Sequence, residues 1–217
     1  MTRTARGINT VNLILDHASR RFLANGYRAT TVEQIAKDAG LSKGAVYFHF
    51  KDKAALAVRL VQRADEQLQD AMANAVQGRD PQDQLIRFLH RRSLLGQERP
   101  VYWLLMLMLS VELAGSGDAL DAQIQKTYRR LQNYLEELIR AGVAAGQFTS
   151  ELPVPELAAI IVATHDGMLL QWSRGWKHLN AEQLLRAMRR SVLNGLGAAN
   201  LTPEMPQRAI AEVVETV

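Results

Sequence analysis

The chain has 217 residues, 47% hydrophobic and 22% charged. Those are the proportions of a soluble globular protein and exclude a disordered or collagen-like chain. It contains no cysteine, which removes disulfide scaffolds, thiolate-bound zinc and thiol nucleophiles and fits a reducing cytoplasm. The net charge of +4 is unevenly placed: residues 1–53 carry nine Lys/Arg against four Asp/Glu, and the remaining 164 carry 17 against 18. A basic module that meets a polyanion, joined to a neutral module, has this asymmetry. A solvated basic face has it too, so motifs must decide. No apolar run precedes Ile8, so no secretory leader is expected. The longest apolar stretch, Val101 to Leu109, falls short of the ~18 residues that span a bilayer. A soluble, cytoplasmic protein without membrane contact is expected.

In chain order, apolar residues recur every three or four positions, the period of helices. Ile14, Ala18 and Phe22, with Leu15 beside them, mark a helix that Gly26 stops. Two short helices follow within residues 30–50. Leu56, Leu60, Val61, Ala64, Leu68, Ala71 and Ala75 mark a long helix running to Gly78. Asp80-Pro81 opens the next, with Leu85, Ile86 and Leu89, and Pro100 opens another. Gly115-Ser116-Gly117-Asp118 separates that one from a long helix with Leu120, Ile124, Tyr128, Leu131, Leu135, Leu138 and Ile139. Pro155 opens a segment through Trp172, and Asn180 caps a last helix with Leu184, Leu185, Met188, Val192 and Leu196. No alternating, strand-like run occurs. The predicted fold is all-α, with a domain at 8–68, a larger helical bundle at 69–200 and a short tail helix at 201–217.

The stretch TTVEQIAKDAGLSKGAVYFHF, residues 30–50, is the informative one. Thr31 can cap a short helix, and Gln34 completes a capping box. The helix reaches Ala39 and ends at Gly40, a residue suited to a left-handed cap. Ser42 caps a second helix starting at Lys43. Two helices joined by about three residues with a glycine match the helix-turn-helix. Ala36 is small where the second helix crosses, Val46 supplies the apolar contact, and Ile35, Leu41 and Phe50 complete a small core. An ordinary helical hairpin shares the glycine turn. It needs neither these offsets nor Ser, Lys, Tyr and His together on one exposed face. A DNA-binding motif over about 31–50 is therefore predicted.

The segment ILDHASRRFLANGYRATTVEQIAKDAGLSKGAVYFHFKDKAAL resembles the DNA-binding domain of the tetracycline-repressor (TetR) family. The likeness spans about residues 8–60 and rests on Ile14, Ala18, Phe22, Gly26, Tyr27, Thr31, Ile35, Ala36, Ala39, Gly40, Ser42, Gly44, Tyr47, Phe50, Lys53 and Leu56. The resemblance implies an N-terminal three-helix domain and a larger C-terminal bundle holding an effector pocket and a dimer interface. It also implies a homodimeric repressor that binds a palindromic operator in double-stranded DNA and is released by a small molecule. No motif beyond residue ~60 points to a subfamily.

The same resemblance, with the chemistry, places the DNA contacts. Lys43, Gly44 and Ala45 open the recognition helix, the end that meets base edges. Gly44 and Ala45 let the backbone approach the groove, and the Ala45 methyl suits a thymine methyl. Lys43 has two readings, guanine or phosphate. Tyr47, His49 and Lys53 resemble phosphate-contacting residues. Ser42 caps the recognition helix, and Thr31 is a cap, a phosphate contact or both. Phe50 is expected in the core.

Beyond residue 68 the signals concern packing and pockets. The run Trp103–Leu109 is apolar around its circumference and is expected to be buried on all sides. It serves either as a plain core helix or, through Trp103, Met106 and Met108, as the wall of an adaptable pocket. His165, Met168 and Trp172, near Thr164 and Asp166, form a second candidate wall, with a satisfied buried histidine as the alternative. For the dimer, the expected stripes are Leu157, Ile160, Ile161 and Thr164 on one helix and Leu184, Leu185, Met188 and Val192 on the last.

Enzyme signatures are lacking. His17, His49, His90, His165 and His178 show no HExxH spacing, and there is no GxSxG elbow or phosphate-binding P-loop. Asp16-His17 and His165-Asp166 are adjacent and so point to different helix faces. No metal, cofactor or catalytic residue is expected. Two other functions stay open: an effector-independent DNA-binding protein, and a helical adaptor that binds protein, against which the basic N-terminal quarter argues.

Overall fold

A computed structural model gives the fold and describes residues 3–98, 100–149, 151–175 and 179–198. Every regular element among them is a helix. These are α1 (Arg3–Asn25), α2 (Val32–Asp38), α3 (Lys43–His49), α4 (Lys53–Ala75), α5 (Pro81–Glu98), α6 (Pro100–Glu112), α7 (Ala119–Ala144), α8 (Val154–Ser173) and α9 (Ala181–Gly195). The expected tail helix at 201–217 lies outside the described residues.

Local chemistry sets the helix ends. Gly26, at φ +83°, takes the left-handed turn that ends α1, and the Thr30 hydroxyl donates to its carbonyl at 2.8 Å. Asp52, Asp118 and Asn180 cap α4, α7 and α9 with side-chain oxygens, each cap contributing about 1 kcal/mol. Pro81, Pro100 and Pro155 sit in the first turns of α5, α6 and α8, where a missing N–H has no helical partner to lose.

Two apolar clusters organise the molecule. The first joins Ile14, Phe22, Ile35, Val46 and Phe50 of the N-terminal helices to Leu56 and Leu60 at the start of α4. It also takes in Leu105 and Leu109 of α6 and Ile124 of α7. The second holds Leu68 and Ala71 of α4, Phe88 of α5, Trp103 and Met106 of α6, Leu135 of α7, Ile161 of α8 and Met188 of α9. Helices α4, α6 and α7 thus belong to both clusters and tie them together. Inside α7, Gly142 lets the Phe148 ring close in: a Cβ there would lie 2.2 Å from Cδ2 of the ring.

Two expectations are corrected. Helix α6 is not buried on all sides, because Met108 and Val111 face solvent while Trp103 and Met106 turn inward. The stripe expected to pair two copies is largely internal: Leu157, Ile161, Leu185, Met188 and Val192 pack into the second cluster. Of that stripe only Ile160 and Thr164 are exposed, and Leu184 is half-buried. An apolar stripe satisfies the periodicity equally well whether the bundle or a second copy covers it.

Candidate nucleic-acid interface and effector cleft

Short helices in isolation are marginal, and α2 and α3 have seven residues each. Their ends and core fix them. The Thr31 hydroxyl accepts from Gln34 N–H at 3.3 Å, and Gln34 Oε1 accepts from Thr31 N–H at 2.9 Å, a complete capping box. Gly40 turns the chain at φ +66°. Ser42 Oγ then accepts from Ala45 N–H at 3.1 Å. Ile35, Ala36 and Val46 are buried between the helices, with Leu41 and Phe50 closing the core. Arg21 of α1 forks onto Asp38 at 2.7 and 2.9 Å and holds the end of α2.

That anchoring leaves one face of α3 outward. Ser42, Lys43, Gly44, Tyr47 and Phe48 are exposed, and Ala45 and His49 are half-buried. The Lys43 ammonium pairs with Glu33 of α2, and both groups are exposed, so a phosphate or base can displace the partner at little cost. Gly44 is not glycine for the sake of the fold. A Cβ there meets nothing nearer than Ser42 Oγ at 3.9 Å.

Lys53 is corrected. Its Nζ donates to the carbonyls of Tyr27 (2.7 Å), Thr30 (2.8 Å) and Arg28 (3.2 Å) and lies 4.5 Å from the Tyr27 ring centroid. Burial lowers its pKa from the ordinary lysine value. All three hydrogen bonds run into the α1–α2 loop, so this lysine holds the loop in place. The other side of the same loop is held by α6. Glu112 accepts from the N–H groups of Tyr27 and Arg28 at 3.0 and 2.8 Å, and the Arg28 guanidinium donates to the Glu112 carbonyl at 3.3 Å.

Against the larger cluster, a small, mainly apolar cleft of about 30 Å³ lies between α5, α8 and α9. Ser93, His165, Met168, Leu169, Trp172 and Leu184 line it. Of the residues expected at a pocket, His165, Met168 and Trp172 meet here. Trp103 and Met106 belong to the core, and Met108 is surface. Beside the cleft, Arg92 Nη2 donates to Asp166 Oδ1 at 2.9 Å and the Tyr128 hydroxyl donates to Asp166 Oδ2 at 3.2 Å. Burial, then the Asp166 charge, pushes the Tyr128 phenol well above its ordinary pKa. Among the described residues there is no cluster of three or more metal-ligating side chains, and no helix is long and apolar enough to cross a membrane.

Residues 14–60 match the family model for bacterial regulatory proteins of the tetR family. Residues 81–197 match the model for the C-terminal domain of BetI-type transcriptional repressors, which alone covers more than half of the chain. The chain belongs to the TetR family. It superposes on the MbdR regulator from Azoarcus sp. CIB with a TM-score of 0.76, at 38% identity, covering 86% of this chain and 98% of that one. The TetR-family regulator PfmR from Thermus thermophilus gives 0.72 at 28% identity, covering 84% and 98%. The HTH-type regulator YhgD of Bacillus subtilis (strain 168) is 27% identical over 194 residues, 88% of this chain and 98% of that protein. This TetR-family protein is thus a helix-turn-helix transcriptional regulator with a helical C-terminal domain. Its relatives are regulators, not enzymes, in a family that binds DNA and small-molecule effectors.

Three features of this TetR-family chain escaped the sequence reading. Phe48 is 84% exposed on the face of α3, edge-on to His49 with ring centroids 5.0 Å apart. The spacing of Val46 and Phe50 signals this, since it leaves residues 47 and 48 outward. Glu112 carried no signal, because its partners lie 84 and 85 residues away. Arg92 carried no signal that sets it apart from Arg87 and Arg91 of α5, yet it is 2% exposed.

Proposed function

We propose that the protein is a homodimeric repressor whose two α3 helices enter successive major grooves of a palindromic operator, and that a small molecule in the α5–α8–α9 cleft releases it. The observation that carries this reading is α6. It lends Trp103 and Met106 to the core beside the cleft and Leu105 and Leu109 to the DNA-binding core, and it ends in the Glu112 clamp on the α1–α2 loop. A shift of α6 on filling the cleft therefore moves the head that carries α3. Half-sites lie ~34–36 Å apart, so a small tilt of either head breaks the register. Tenfold weaker operator binding requires about 1.4 kcal/mol of preference for the DNA-incompetent state.

On the DNA, Lys43, Gly44, Ala45 and Phe48 face the groove in this reading, and Thr31, Ser42, Tyr47 and His49 face the backbone. Fluorescence anisotropy with a duplex from the chain's own promoter, against a random duplex at two salt concentrations, tests it. Specific binding with a steep salt dependence supports the regulator. Equal, salt-insensitive weak binding to both duplexes favours the adaptor instead.

A further inference from the structure

Gly44 and Phe48 lie one turn apart on the outward face of α3, and neither is there for the fold. Phe48 is 84% exposed, more than any other large apolar side chain among the described residues. A ring left in water gives up the burial that makes phenylalanine stabilising. It is braced all the same, edge to face against the half-buried His49 with ring centroids 5.0 Å apart. Gly44 is the reverse case, a residue smaller than its site. Helix side chains lean toward the turn before them, which stands the Phe48 ring beside Gly44. A Cβ at 44 would nonetheless have Ser42 Oγ, at 3.9 Å, as its nearest neighbour and no atom of that ring within 4 Å. The bare backbone at 44 and the ring at 48 therefore bound an open notch, apolar on floor and wall. One step along the helix the chemistry is opposite. The Lys43 ammonium lies 5.7 Å from the Tyr47 ring centroid and pairs with Glu33.

In a helix-turn-helix regulator this face meets the major groove. The base edges there carry donors and acceptors and one apolar substituent, the thymine C5-methyl. A phenyl ring has no hydrogen-bonding group, so it cannot hold a phosphate. Laid over a base's donor or acceptor, it would leave that group unpaired. The thymine methyl is the partner that gains from it. A methyl set in the notch touches ring and backbone together, and a side chain at 44 would stand in its way.

We propose that Gly44 and Phe48 form a methyl-reading notch that selects thymine at one position of each operator half-site. Phe48 is the specificity-determining residue, and Gly44 keeps the notch open. The inference rests on the reading of the protein as a dimeric regulator with α3 in the major groove.

Fluorescence anisotropy on the operator duplex from the chain's own promoter tests it. Each thymine of the half-sites is replaced in turn, symmetrically, by deoxyuridine, which pairs like thymine and lacks the methyl. At one position the wild-type protein loses about fourfold per half-site, the worth of one buried methyl, and about fifteenfold over the palindrome. Phe48→Ala weakens the thymine operator and binds the two duplexes equally at that position. Its salt slope stays nearly unaltered, because no phosphate contact is lost, and so does its melting temperature. Gly44→Ala fills the notch, so there the deoxyuridine duplex binds better than the thymine duplex. Wild-type binding that ignores every replacement, a penalty that persists in full in Phe48→Ala, or a Gly44→Ala protein that keeps the wild-type preference overturns the proposal. Specific operator binding with any of those results loses the notch and keeps the regulator. A wild-type protein that does not prefer the operator to a random duplex loses the regulator, and the notch with it.

Discussion

Two glycines separate what the fold needs from what the ligand needs. At Gly142 an added methyl would collide with the Phe148 ring at 2.2 Å, so Gly142→Ala should destabilise the protein by about 2 kcal/mol through overpacking. At Gly44 the methyl has ordinary space, 3.9 Å from Ser42 Oγ, and the backbone angle is not strained. Gly44→Ala should therefore raise stability by about 0.5–1 kcal/mol. It should also weaken operator binding, since the missing side chain serves an approach from outside. Thermal melts of both variants with anisotropy on Gly44→Ala check this, and a Gly44→Ala protein that is more stable and binds as well would show that nothing approaches there. Lys53 makes the opposite case, a cation in a basic domain whose hydrogen bonds run inward. Removing its ammonium leaves three carbonyls short of a donor. Lys53→Met should lower stability by about 2 kcal/mol and leave the salt slope of DNA binding nearly unchanged. A slope that flattens by ~0.9 per protomer would restore the phosphate contact.

At the scale of elements, the α1–α2 loop is gripped from two directions, by Lys53 of α4 at its carbonyls and by Glu112 of α6 at its N–H groups. Glu112→Ala should free the amides of Tyr27 and Arg28. Hydrogen exchange at residues 27–50 should then speed up while α7 keeps its protection, and operator affinity should fall because the head is less fixed on the bundle. Uniform exchange across both cores would mean that the clamp stabilises without coupling. The elements themselves were legible in the sequence: caps at Thr31, Ser42 and Asn180, prolines opening helices, and Gly26 and Gly40 closing them are local signals. The reading of α6 failed because apolarity around the whole circumference does not say what covers each side. Trp103 met a core, while Met108 and Val111 met solvent. The cleft was half legible for the same reason. His165, Met168 and Trp172 share a helix and a spacing, whereas their partners Ser93 and Leu184 come from α5 and α9, which only the tertiary fold brings near.

Over the whole molecule, buried histidines and an unpaired face of α8 set two expectations. Burial lowers the pKa of both His90 and His165. The unfolded chain takes up protons near pH 6.5 and the folded chain does so only at lower pH, so stability should fall as pH drops below about 6.5. The slope is at most about 1.4 kcal/mol per pH unit for each histidine. The carboxylates whose pKa is lowered, such as Asp38, Asp83 and Asp118, act below about pH 4.5 and do not mask it. The melting temperature should decline between about pH 7 and 5.5, less so in His90→Gln; a flat profile would mean that both rings are solvated. The second expectation concerns the dimer. Met188 is 5% exposed inside the bundle, so charging it would unfold the monomer and say nothing of association. The face of α8 left outward instead carries Ala159, Ile160, Ala163 and Thr164, with Ile160 65% exposed. Small residues around one large aliphatic let two helices approach closely, as a two-fold interface requires. Ile160→Glu should leave the melting temperature of the protomer nearly unaltered, since the side chain already faces water. In sedimentation it should shift the protein from dimer to monomer at micromolar concentration, and operator affinity should collapse with it because a single half-site cannot hold the regulator. An Ile160→Glu protein that sediments as an unaltered dimer would move the interface to another face, with the outward stripe of Met108 and Val111 on α6 the next to be charged.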